Sequence, residues 1–184
     1  LLATAWLLCV LVFALQAPAN GASPRSAAQC GGADLVPAPG NAAAVQAATL
    51  CLIDMVRAQH RLQPLRANAM LRAVAHSQVQ SMVRWNYFAD VRPSGQTPFS
   101  LIAASRYRAH AASISTGQDI AWGTGSHATP ASIVAAWMAS PPHRTIILTG
   151  SYRDAGVSVM PSLPSVVGHG HGGAIYAIEF AARG

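Results

Sequence analysis

The sequence predicts an α+β sandwich, and three observations carry that prediction. Helical periodicity dominates the first half of the chain, the clearest strand-like segments come last, and no β-α-β alternation links them. A first helix is expected over 41–60, where Ala44, Ala48, Cys51, Leu52, Met55 and Val56 recur at three- and four-residue spacing and so share one face. Asn68 can cap a second helix reaching about residue 84, in which Leu71, Val74, Ala75, Gln78, Val79 and Met82 follow the same rule. Three later pairs, Thr97-Pro98, Thr129-Pro130 and Ser140-Pro141, each put a hydroxyl at a cap and a proline at the first helical position, so a short helix should follow each. Strands are expected at 155–160 and 174–181, rich in β-branched and aromatic residues, and a third near Ile120 to Trp122. The HGHGG run at 169–173 reads as a loop leading into the last strand.

A chain of 184 residues has room for one well-buried domain. Twelve arginines against six acids, with no lysine, give a net charge of +6. The arginines are scattered singly rather than clustered among stacking aromatics, and this argues against nucleic-acid binding. The opening LLATAWLLCVLVFAL is too short to span a bilayer and suits the apolar core of a secretory signal, expected over 1–22 and truncated at its start, with cleavage after Ala19 or Ala22. No membrane span is expected once it is removed. Cys9 lies inside that run behind Leu8, an unsuitable context for lipid attachment. Two cysteines then remain, Cys30 and Cys51, an even number in an exported chain. Their disulfide would tie the segment 23–40 onto the first helix and, in the chain-entropy model, contribute about 3 kcal/mol. Two buried free thiols are the alternative.

Five segments in order, CLIDMVRAQHRLQPLRAN, LRAVAHSQVQSMVRWNYFADVRPSG, TGQDIAWG, ASIVAAWMASPPHRTIIL and YRDAGVSV, resemble the bacterial branch of the CAP superfamily, which includes cysteine-rich secretory proteins, antigen 5 and pathogenesis-related 1 proteins. The resemblance covers about residues 45–181 and implies a domain over 41–184. It further implies a three-layer α-β-α sandwich with a small, mainly antiparallel central sheet, an extracellular or cell-envelope location, and a cleft in which two histidines and two acids can hold a divalent metal.

The cleft positions depart from that pattern. The first histidine of the family appears as Asp90, and the glutamate of Gly-Glu-Asn-Ile appears as Gln118 in Gly117-Gln118-Asp119-Ile120. The second histidine is matched by His143, and Ser140 stands where some branches carry an acid. Asp90 and His143 offer only two good donors, so no cofactor is expected beyond a weakly bound divalent ion such as zinc. A metal-free cluster is the simpler expectation, with Asp90 accepting a hydrogen bond from His143 and Gln118 completing it. Asp119 is expected to bond nearby backbone, as Asn does in the family motif. Ser140, His143 and Asp90 nominally form a Ser-His-Asp set, but Ser140 is expected to be spent capping a helix, with His143 in the first turn. Trp122 and Trp137 are expected to anchor the core or line the cleft. His76, alone on its helix, reads as a packed or rim residue, and His169 with His171 makes at most a weak metal site. Two functions follow: a secreted, non-catalytic module binding a lipid, glycan or protein, or a secreted peptide or ester hydrolase using His143 with Asp90.

Overall fold

The computed structural model describes residues 30–184, so the expected signal segment and Cys9 lie outside the described residues. Six helices and four strands follow one another: α1 (Ala42–Gln59), β1 (Arg66–Ala67), α2 (Ala69–Trp85), α3 (Pro98–Ala103), β2 (Ile114–Gly123), α4 (Pro130–Ala139), α5 (Pro141–Ile147), β3 (Asp154–Met160), the single turn α6 (Ser165–Gly168) and β4 (Ala174–Arg183). The sheet order is β1-β3-β4-β2. β4 pairs antiparallel with both neighbours, and only the two-residue β1 runs parallel to its partner.

Alternation along the strands assigns each helix to a layer. Ala155, Val157, Val159, Tyr176, Ile178 and Phe180 face α1, α4 and α5, whose Val45, Ile53, Ile133, Trp137 and Ile147 complete that core. Ile120, Ile175 and Ala177 face Ala75, Val79 and Met82 of α2 on the other side. Leu71, Val74, Ile102, Tyr107 and Ala181 extend that second layer over α3. The expected α-β-α sandwich is therefore present.

The face of α2 is the expected one, residue for residue, and Asn68 caps it by accepting from the Met70 and Leu71 amides. The face of α1 differs. Its buried residues are Val45, Ala48, Thr49, Leu52, Ile53 and Arg57, while Ala44 is exposed. Val45, Leu52 and Ile53 pack in the core, and the stripe ends in fully buried Arg57, whose guanidinium donates to the carbonyls of Gln63 (3.1 Å), Ile147 (2.7 Å), Thr149 (3.1 Å) and Tyr152 (3.4 Å). Burial lowers its pKa from the free-side-chain value, opposed in part by Asp54.

β2 is ten residues long rather than the three expected, because Gly117, Gln118 and Asp119 are laddered to Phe180, Glu179 and Ile178 despite their weak strand preference. The loop between β3 and β4 contains the unexpected turn α6 ahead of HGHGG. Cys30 and Cys51 are disulfide-bonded, with Cα atoms 5.7 Å apart, which ties the segment before α1 onto that helix.

Gly156 sets how closely α2 lies on the sheet: a Cβ there would fall 2.0 Å from the amide nitrogen of Arg72. Gly156→Ala must push the helix off β3, and a loss of about 2–3 kcal/mol is expected in urea unfolding. An unchanged midpoint would show that α2 is not held at that distance.

Candidate functional site

The candidate site forms where β2, the outer strand, meets the loop after α2 and the start of α5. Its buried floor is a cross-strand pair. Gln118 on β2 stands opposite Glu179 on β4, and its amide nitrogen donates to Oε1 of Glu179. Both face the α2 layer. Glu179 is fully buried, and among the described residues its second oxygen has no hydrogen-bond partner, nor does the amide oxygen of Gln118. Burial pushes the Glu179 carboxyl up to about 8, with the Gln118 amide opposing the rise and the charges of Asp90 and Asp119 adding to it.

Asp119 points to the opposite face of the sheet. It too is fully buried, and neither carboxylate oxygen has a partner among the described residues. The expected bond to nearby backbone is absent because residue 119 lies within the β2–β4 ladder, where its side chain enters the core instead of turning back on a loop. Burial, reinforced by the charge of Asp90, pushes its carboxyl up to about 8. Both interior acids therefore hold their protons over most of the neutral range.

The rim is made by Asp90, His143 and Ser140. Asp90 is fixed through its backbone: buried Gln78 on α2 donates its amide to the carbonyls of Ala89 (3.0 Å) and Asp90 (3.2 Å). Desolvation by the cleft wall raises the Asp90 carboxyl, and the charge of His143 pulls it back. No hydrogen bond joins Asp90 to His143 among the described residues, so the expected Asp90–His143 bond is replaced by a longer-range charge interaction. Nδ1 of His143 instead lies 2.8 Å from Oγ of Ser140.

Ser140 corrects a second expectation. Thr97 and Thr129 cap α3 and α4 with their side chains as expected, but Ser140 makes no side-chain cap bond to α5. The first two helical positions are Pro141 and Pro142, which have no N–H to offer, and at the third position the Ser140 hydroxyl meets the imidazole of His143 rather than its amide. Trp137 is 1% exposed and donates its indole N–H to the Ile120 carbonyl, so it supports the sheet from below and does not line an accessible cleft. Trp122 is 42% exposed at the far end of β2. His76 sits at the surface of α2, 3.3 Å from the Ser158 hydroxyl.

Residues 50–167 match the model of the cysteine-rich secretory protein family. The chain belongs to the CAP family. YkwD of Bacillus subtilis (strain 168) is 28% identical over 127 residues, which is 68% of this chain and 46% of that protein, so the chain spans less than half the length of this curated relative. Among solved structures, an extracellular SCP-domain protein from Bacillus anthracis str. Ames superposes with a TM-score of 0.57 at 21% identity, covering 77% of this chain and 40% of that one. An outer surface protein from Borrelia burgdorferi gives 0.58 at 18% identity, over 73% and 90% of the respective chains. At these identities the two structures establish the shared fold.

Within this CAP domain a carboxyl group, that of Glu179, stands directly across the ladder from Gln118. Sequence reasoning passed over Glu179, although it is the only glutamate in the chain and interrupts an apolar strand. Among the described residues no three His, Cys, Asp or Glu side chains converge to hold an ion, and Gln118 offers a neutral amide rather than a carboxylate at its position on β2.

Proposed function

We propose that this protein is a secreted CAP module that binds an extracellular ligand through a metal-free cleft and does not catalyse a reaction there. The observation that carries the reading is the burial of Gln118, Asp119 and Glu179: three of the cleft's polar groups lie beneath the surface, leaving Asp90, His143 and Ser140 to meet a ligand. The extracellular and outer-surface descriptions of the two structural neighbours support the location, as does the Cys30–Cys51 disulfide, a bond of oxidising compartments. No helix among the described residues is long and apolar enough to cross a membrane.

Zinc titration by calorimetry tests the proposal, beside His143→Ala and a His169→Ala/His171→Ala double variant. No binding, or weak binding lost only in the double variant, is the expected result. Micromolar binding abolished by His143→Ala alone would overturn it.

One observation favours a second reading. The uncapped Ser140 hydroxyl against His143 is the pairing that an activated nucleophile requires, with Asp90 as the nearby charge. Hydrolysis of p-nitrophenyl acetate that disappears in both Ser140→Ala and His143→Ala would establish that reading. A rate equal in all three proteins would remove it.

A further inference from the structure

The last turns of α2 carry a feature that the cleft does not use. Trp85 is 63% exposed, and the Arg84 guanidinium lies 5.3 Å from the centre of its ring. Beside them opens a depression of about 410 Å³ lined by Ser77, Gln80, Ser81, Arg84, Trp85 and Arg92 together with Val83 and Met160. No acidic side chain lines it. Arg92 is held ready: its Nε donates to Oε1 of Gln78 (2.9 Å) and one Nη to the Ser77 hydroxyl (2.8 Å), and among the described residues the other Nη has no partner. Tyr87 fixes the far wall by donating to the Ser81 hydroxyl at 2.9 Å.

We infer that this depression binds an acidic oligosaccharide, with the open area of the Trp85 ring stacking on a sugar face and Arg84 and Arg92 receiving its carboxylates. An exposed indole is costly to keep in water and supplies a flat apolar surface matched to the C–H face of a pyranose. Two hydroxyls and a primary amide in one concave wall offer the donor and acceptor mixture that sugar hydroxyls need. The two guanidinia lining it, in a chain of net charge +6 and without a lining acid, favour an anionic partner. A lipid surface is the poorer match, because the wall is concave and polar where a membrane-inserting surface protrudes and is apolar. The site lies outside the Asp90–His143–Ser140 rim and does not depend on whether that rim binds metal.

The test is calorimetry of the protein with trigalacturonate, with neutral cellotriose and with phosphatidylglycerol vesicles at low salt. The variants are Trp85→Ala and Arg84→Gln, both at exposed positions, with thermal melts to confirm that each is folded. Trigalacturonate should bind, cellotriose should not, and each variant should weaken binding by about tenfold. Equal binding of cellotriose would remove the role of charge. Full affinity in Trp85→Ala would place the sugar elsewhere. Binding of the vesicles alone would make this a lipid surface, and no binding of trigalacturonate would end the proposal.

Discussion

Arg57→Leu is expected to destabilise the protein by about 3–5 kcal/mol, a large share of the stability of an ordinary domain. The guanidinium is buried and answers four carbonyls, from Gln63, Ile147, Thr149 and Tyr152. Leucine would fill part of the space and leave those acceptors without donors in a place that water reaches poorly. Arg57→Lys should recover little, because a single ammonium cannot spread its donors over the arc that the planar guanidinium spans. Thermal unfolding of the two variants checks this, with a fall of about 10 °C expected for leucine. A lysine variant as stable as the parent would show that charge alone, and not the fork of donors, is what the loops require.

That same arginine belongs to the least legible element. Apolar periodicity placed α1 on its Ala44–Val56 face, but the buried stripe runs through Val45, Ala48, Leu52 and Ile53 to Arg57, whose partners at Ile147, Thr149 and Tyr152 lie about ninety residues away, and spacing alone did not choose between the two apolar stripes. α2 was legible throughout because its buried face follows the apolar spacing and Asn68 caps its start. At the site, His143, Asp90 and Gln118 could be found by position in the motifs. Their bonds could not: Gln118 bonds Glu179 on another strand, and Ser140 bonds the His143 imidazole where a cap to the backbone was expected.

The second large effect concerns pH. Asp119 and Glu179 each titrate near 8 in the folded protein, far above the ordinary carboxyl value, so the native state holds two protons that the unfolded chain releases. Their contribution to stability is complete below about pH 4 and is lost as pH rises toward 8, at about 1.4 kcal/mol per pH unit for each carboxyl across that window. Asp119→Asn keeps the shape, removes the proton and should therefore be more stable than the parent by about 2–4 kcal/mol at pH 7, with the difference vanishing near pH 4. Urea unfolding of both proteins from pH 4 to pH 9 gives the comparison. A difference that stays constant across the range would show that the carboxyl is not protonated in the folded state.

Gln78 draws the two surfaces together. One end of its amide carries the backbone of the loop that bears Asp90, and the other end carries the Arg92 side chain. An amide group turns as a rigid plate, so the two attachments share a pivot. Any displacement of Arg92 by something seated beside Trp85 must either break the contact at Oε1 or tilt the plate and carry Asp90 with it. The rim of the cleft and the α2 depression thus meet at one interior side chain, in addition to the two-residue backbone step from Asp90 to Arg92.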